Sequence, residues 1–186
     1  MSRNLSAVTI GAPSPLNGKI QLAPYDRVWP EQFAGQAARV RAALGGLALD
    51  VQHVGSTSVP GLSAKPVIDM VLVVADSADE AAYVPALEAT GFVLRIRETD
   101  WFEHRMLRSL DPQVNLHVFT FDCDEIYRML AFRDHLRNDD GDRALYESTK
   151  HALASRDWQF TQDYADAKTE VIVAILKRAL TTSRSD

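Results

Sequence analysis

Two short segments carry the residues best suited to chemistry. Gln52-His53-Val54-Gly55-Ser56-Thr57-Ser58 is followed, after a brief polar stretch, by Lys65-Pro66-Val67-Ile68-Asp69. A glycine at the mouth of a strand lets backbone N–H groups approach an anion, and Ser and Thr hydroxyls add donors. Gly55, Ser56 and Thr57 are therefore expected to contact phosphate or a similar anion, or simply to form the turn. Asp69 is the one charge in the apolar run Val67 to Val74. A carboxylate there needs a partner, either a metal ion or a cation such as Lys65 four positions earlier.

Further along, Asn115-Leu116-His117-Val118-Phe119 reads as a strand, with Asn115, His117 and Phe119 on one face and Leu116 and Val118 on the other. His117 is either a satisfied structural histidine or, beside Asp69, a metal ligand or general base. His104 and Arg105 fall on the preceding strand. Arg105 is a candidate clamp for phosphate or carboxylate, with a salt bridge as the alternative. Tyr164 and Lys168, four apart, share a helix face and form either a basic rim over the cleft or a solvated surface. Lys150 lies in the same helical region, with the same two alternatives; Arg133 and Arg137 read as solvated, with nearby Asp or Glu side chains within reach as the alternative, and His53 as a cap for the turn. There is no GxxxxGK[ST], GxGxxG or GxSxG sequence, so no Walker, Rossmann or hydrolase-elbow chemistry is indicated.

The elements that must position these residues follow from hydrophobic periodicity. Residues 1 to about 20 are aperiodic and read as a flexible arm. Trp29-Pro30-Glu31 opens a helix carrying Phe33, Ala37, Val40 and Leu44 at helical spacing, stopped at Gly45-Gly46. Strands are expected at Leu49–Val54 and Val67–Val74, a helix at Asp79–Thr90, and three strands at Phe92–Ile96, Phe102–Ser109 and Val114–Phe121, the last two joined at Asp111-Pro112. Beyond Asp122 the pattern is helical, with Phe160, Tyr164, Ala167, Val171, Ile175 and Ala179 forming one long stripe. The expected fold is α+β: a mixed-sheet core over residues 21–122 and a packed helical region over 123–182, as one structural unit.

The chain has 186 residues and a net charge of −5. That balance excludes generic nucleic-acid binding, which needs excess Lys and Arg, but allows a local basic pocket. The single Cys123 excludes a disulfide framework and a Cys-rich zinc site. The longest apolar run, Met70 to Ala75, is far too short to span a membrane, and the first twenty residues lack the apolar centre of a signal peptide. A cytoplasmic protein is expected.

The Gly-Ser pair followed by an acid on the next strand resembles the nucleotidyltransferase superfamily. More closely, HVGSTSVPGLSAKPVID resembles the GrpB family, as do NLHVF at 115–119, FRDHLR at 132–137 and the Tyr164 to Lys168 segment. The resemblance covers roughly residues 22–180 and implies a nucleotidyltransferase-like fold. In active nucleotidyltransferases a second acid stands two positions after the first and a third on a later strand, together holding divalent ions. Here Asp69 matches the first, Val71 stands at the second, and the third falls at His117. The resemblance implies a nucleotide or other phosphorylated small molecule bound by Gly55, Ser56, Thr57, Lys65, Arg105, Tyr164 and Lys168. Mg²⁺ or Mn²⁺ would sit at Asp69 and His117, and nucleotidyl transfer would use both residues. A catalytically inactive binding or assembly module is the alternative, and GrpB-like domains fused to dephospho-CoA kinase link it to coenzyme A synthesis. A single-metal hydrolase built on Asp69 and the histidines is a third reading.

Overall fold

The computed structural model describes residues 8–11 and 15–182. Its elements, in chain order, are β1 (Pro15–Lys19), α1 (Val28–Leu44), β2 (Asp50–Val54), β3 (Ile68–Val74), α2 (Glu80–Glu88), β4 (Val93–Glu98), β5 (His104–Leu110), β6 (Gln113–Thr120), α3 (Asp124–Asn138), α4 (Asp140–Ala154), β7 (Asp157–Phe160), α5 (Thr161–Asp166) and α6 (Thr169–Thr182). The main sheet runs β2-β3-β6-β5-β4. Only the central pair, β3 with β6, is parallel; the other pairs are antiparallel. The run Ile68-Asp-Met-Val-Leu-Val-Val is apolar on both faces because β3 lies inside the sheet with protein on either side.

The two faces of the sheet do different work. On one, Met70, Leu72, Leu107, Leu116 and Val118 pack beneath α1 and α2 in the largest apolar cluster, which also takes in Trp29, Val40, Tyr83 and Leu87. On the other, Val71, Val73 and Phe119 meet Ile126 of α3, with Met129 and Leu130 beside them. That second layer covers only part of its face. Asp69, Met106, Arg108, Asn115 and His117 line the open remainder. Strand alternation sets this division, so every residue's face follows from its register.

The helical region is stitched to the core at the Gly-Ser turn. Arg137 of α3 donates from Nε and Nη2 to the Ser58 carbonyl at 3.0 and 2.8 Å, and Arg133 donates to the His53 carbonyl at 3.0 Å. The alternative to solvation holds for both arginines, which pair with Asp134, and they also satisfy backbone acceptors that β2 and the turn leave open. Val59 and Leu62 from the loop after that turn join Leu136, Tyr146 and Ile175 in a third apolar cluster.

Two expectations are corrected. Of the expected arm, residues 1–7 and 12–14 lie outside the described residues, but Pro15–Lys19 form β1, paired antiparallel with β7. The expected single long helix from Phe160 is broken. Phe160 ends β7, the Asp163 carboxylate accepts the Phe160 N–H at 3.0 Å to open the short α5, and Ala167 and Lys168 form a turn before α6. The apolar stripe was real, but two helices separated by a turn share it. Among the described residues no helix is long and apolar enough to cross a membrane.

Replacing Arg137 with Ala removes two charge-assisted donors from one buried-side carbonyl. Urea unfolding is expected to show a loss of about 2 kcal/mol, and Lys at this position is expected to recover only part of it because it cannot fork.

Candidate functional site

The site grows from the contact between Gly55 and Asp69. Gly55 adopts φ 70°, ψ −173°, and a Cβ built on it would lie 2.5 Å from Asp69 Oδ2 and 2.9 Å from Asp69 Cβ. Glycine is required twice over, by the left-handed φ and by the close approach. The turn that follows, Ser56–Ser58, is a single 3₁₀ turn braced internally, with the Ser58 hydroxyl donating to the Gly55 carbonyl at 2.6 Å. Thr57 was expected to offer its hydroxyl to a ligand. It is instead buried, lies 3.1 Å from His53 Nε2, and donates to the Val67 carbonyl at 3.3 Å. His53 thus secures the turn, as expected. Burial and the two nearby arginines push its pKa down to about 4, so it is neutral.

Ser56 faces the cleft and meets Lys150, which is neither solvated nor on an outer rim. Lys150 of α4 is 2% exposed; its Nζ donates to Ser56 Oγ at 3.2 Å and to the Ser63 carbonyl, and sits 4.9 Å above the Tyr146 ring. Burial, with Lys168 nearby, lowers its pKa to about 7. Its helical spacing with Tyr146 and Leu153 marks it as a core position, which is the one signal the sequence held.

Asp69 accepts a hydrogen bond from Asn115 Nδ2 at 2.8 Å, its neighbour across the parallel ladder. Burial pushes its pKa up, while Asn115, Lys168, Lys65 and Arg108 pull it down. Lys65 and Lys168 both line the cleft, and both are pushed down by burial and pulled back by Asp69. Lys65 acts on Asp69 through space rather than as the direct ion pair considered from sequence. Lys168 Nζ lies 4.5 Å over the ring of Tyr164. Tyr164 is 2% exposed, and its hydroxyl is a buried polar atom with no hydrogen-bond partner among the described residues. Such an atom costs about 1–3 kcal/mol until a water or ligand satisfies it.

Arg105 does not reach the cleft. It is buried on the opposite face, donating to the Glu80 carboxylate and to the Glu103 carbonyl at 2.9 Å, while Arg97 holds the same Glu80 at 2.6 Å. The expected clamp is therefore a structural ion pair, of the kind weighed as its alternative. Alternation places Arg108, three residues on, at the cleft, where it bonds Asn115 Oδ1 at 3.3 Å. Arg95 joins it from β4. The register of β4 slips between Leu94 and Ile96, and this bulge turns Arg95 toward the cleft as well. The signal for Arg108 was present in the same alternation that placed His117; a bulge such as the one at Arg95 has no sequence mark here.

The result is a cleft of about 380 Å³ whose described lining includes Lys65, Lys150, Lys168, Arg95 and Arg108 and one carboxylate, Asp69. Val71, where a second acid would stand, is fully buried. His117 lines the cleft beside it, its Nδ1 3.0 Å from His104 Nε2. Among the described residues, one group of three ligating side chains is close enough to hold a metal, and it lies elsewhere: His135, Asp139 and Asp142. Asp142 there is paired with Arg178 and His135, and Asp139 caps α4.

A mixed sheet with a Gly-Ser turn at the mouth of one strand, an acid on the next and helices as a wall defines the nucleotidyltransferase-like fold. The RNA terminal uridylyl transferase Cid1 shares it, with a TM-score of 0.51 at 17% identity over 82% of this chain and 44% of that one. The chain belongs to the GrpB protein family, whose profile matches residues 19–178. It is 53% identical to a UPF0157 protein of Halalkalibacterium halodurans over 96% of this chain and 91% of that one. The crystal structure of the conserved protein GrpB from Enterococcus faecalis superposes with a TM-score of 0.74 at 31% identity, covering 88% of this chain and 99% of that one. A segment of the dephospho-CoA kinase of Mycolicibacterium paratuberculosis is 40% identical over 164 residues, which is 74% of this chain and 40% of that one.

The Lys150 ammonium gives a pH signature. Its pKa falls from 10.5 when unfolded to about 7 when folded. Between those values the unfolded chain binds more protons, so the stability this residue contributes rises as pH increases from 7 toward 10.5 and is lost as pH falls through that window. The stability difference between wild type and Lys150→Met, followed by urea unfolding, is expected to move in favour of wild type by more than about 1 kcal/mol between pH 7 and pH 9. Separately, Gly55→Ala is expected to lower the melting temperature by several degrees, roughly what a 1–2 kcal/mol loss produces in a domain of this size, because both the backbone and Asp69 must shift.

Proposed function

We propose that the protein binds a nucleotide, most simply a nucleoside triphosphate, in this cleft. The observation that carries the reading is the set of three lysines, Lys65, Lys150 and Lys168, that line one cleft with Asp69 in a chain whose net charge is −5. All three are held below their usual pKa by burial. Cations confined at that cost are stabilised by an anion of high charge density, and a polyphosphate supplies one. The orphaned Tyr164 hydroxyl is a further donor for it.

In this reading Ser56 Oγ and the turn's backbone approach the terminal phosphates. Lys150 and Lys168 neutralise them from the helical wall, and Arg95 and Arg108 do so from the sheet. The donor set fits one divalent ion, Mg²⁺ or Mn²⁺, at Asp69. A metal there would relieve the burial that raises the Asp69 pKa, and its remaining ligands would come from the phosphates and water. It does not fit a pair of ions, because Val71 offers no oxygen. Bound, such an ion would supply charge neutralisation for nucleotidyl transfer. In this reading His117 accepts a proton.

A second reading has a specific observation behind it. The missing second carboxylate at Val71 favours a module that binds its ligand without catalysis. The similarity to a segment of a dephospho-CoA kinase supports coenzyme A or dephospho-CoA, each a phosphorylated adenosine derivative, as ligand for such a module.

Thermal unfolding against the four ribonucleoside triphosphates, coenzyme A and dephospho-CoA, each with and without Mg²⁺ or Mn²⁺, separates these readings. A ligand at about a hundred times its dissociation constant adds roughly 2.7 kcal/mol. The expected result is a metal-dependent shift with a triphosphate. Asp69→Asn should abolish the metal dependence while changing ligand-free stability by less than about 1 kcal/mol, because a neutral isostere replaces an acid that burial disfavours. A metal-independent shift with a coenzyme A species alone supports the second reading. No shift with any of them refutes both.

A further inference from the structure

On the cleft face of the sheet, three titratable side chains stand in line. Glu98 ends β4, His104 opens β5 directly opposite it, and His117 lies on β6. His104 Nδ1 is 2.7 Å from Glu98 Oε2, and His104 Nε2 is 3.0 Å from His117 Nδ1, with the two ring planes within 19° of parallel. Glu98 is 9% and His104 3% exposed, and Trp101 and Phe119 pack against the His104 ring. The far end of the line reaches the cleft: His117 is among its lining residues.

The hydrogens in this line are constrained. An ionised carboxylate only accepts, so His104 Nδ1 carries a proton. A neutral His104 then offers a lone pair at Nε2. The bridge between the rings holds one hydrogen, which with His104 neutral comes from His117 Nδ1. That leaves His117 Nε2 as a bare lone pair, and it has no hydrogen-bond partner among the described residues.

Charge is constrained too. His117 is flanked across the cleft by Lys65, Lys150, Lys168, Arg95 and Arg108, with Asp69 the one acid among the cleft's charged groups. Burial and His104 hold its pKa down to about 3. An isolated imidazole in that position would be a very weak base. Its neighbour is not in that position: His104 sits against Glu98.

We propose that Glu98, His104 and His117 form a proton relay in which His117 Nε2 takes the proton of a hydroxyl bound in the cleft while the bridging proton passes to His104. The O–H bond breaks and Nε2–H forms; the Nδ1–H bond of His117 breaks and Nε2–H of His104 forms. The oxygen keeps its electron pair, bonds to the α-phosphorus of a bound triphosphate, and pyrophosphate leaves with the electrons of the broken P–O bond. The positive charge comes to rest on His104 beside Glu98, away from the cleft cations, and His117 ends neutral with an N–H facing the ligand. His117 is the catalytic group; Glu98 and His104 are positioning residues. Use of the relay in transfer rests on the nucleotide reading above, but its protonation pattern does not.

The test is two-bond ¹H–¹⁵N correlation NMR of the ligand-free, ¹⁵N-histidine-labelled protein, with the five histidines assigned through His104→Asn and His117→Asn. At pH 8, His117 is expected as the Nδ1–H tautomer with Nε2 bare. As pH falls, His104 is expected to become doubly protonated while His117 switches, in the same transition, to the Nε2–H tautomer. Glu98→Gln is expected to weaken the proton affinity of that transition at least tenfold. An Nε2–H tautomer of His117 at pH 8, a doubly protonated His117 beside a neutral His104, or an unmoved transition in a folded Glu98→Gln overturns the proposal. If that variant does not fold, the wild-type spectra still decide. A relay that behaves as expected in a protein that binds no triphosphate would sink the nucleotide reading and leave the relay standing.

Discussion

The approach of the Gly55 backbone to the Asp69 carboxylate governs the geometry of the cleft. With the Cβ position occupied by Asp69 itself, the turn can lie flat across the mouth of β3 in one way only. That placement sends the Ser56 hydroxyl toward Lys150, presents the Ser58 carbonyl to both donors of Arg137, and aims Thr57 inward onto His53 and Val67. The helical region is thus positioned by the same few residues that form the floor of the site. A polar contact of this kind carries more structural information than its energy suggests, because several independent bonds are satisfied only if it is made.

Charge is sorted by the sheet. On the α1–α2 side, Arg105 and Arg97 are matched by Glu80 and Glu103. On the cleft side, cations line the pocket with Asp69, while Glu98 on the same face is held by His104. The first arrangement is self-sufficient. The second brings cations together in a partly enclosed space, where low dielectric strengthens any interaction with an incoming anion. A mildly acidic protein thereby keeps an intensely basic interior site, and the net charge of the chain says nothing about it.

Much of this was legible beforehand. The apolar run of β3, the alternation of β6 and the helix from Val28 follow from periodicity, because burial on fixed faces leaves a fixed pattern. The GSTS turn and Asp69 followed from residue type and spacing, and the family resemblance from their combination. Other features are tertiary. Arg105 and Arg108 look equally plausible until β5 is given a register. Lys150 looks solvated until α4 is turned inward by its Tyr146 and Leu153 face. Arg95 depends on a bulge with no sequence mark. The break at Ala167 and Lys168 was hidden because helices on either side of a turn can carry one continuous apolar spacing, and β7 was too short to announce itself against the helical pattern around it.

The slip in β4 has a consequence beyond aiming Arg95. β4 is the outer strand of the five-stranded sheet, and an outer strand presents unpaired backbone groups to any neighbouring chain. Here the bulge interrupts the regular repeat that a second strand would need. The Ile10 N–H takes the Arg95 carbonyl at 2.8 Å, with Thr9 bridged to Ile96. Arg95 and Arg97, one on each face, add charge to this edge. The irregularity that brings a cation to the cleft also blunts the edge against strand-to-strand self-association, so changes that straighten β4 risk solubility as well as the site.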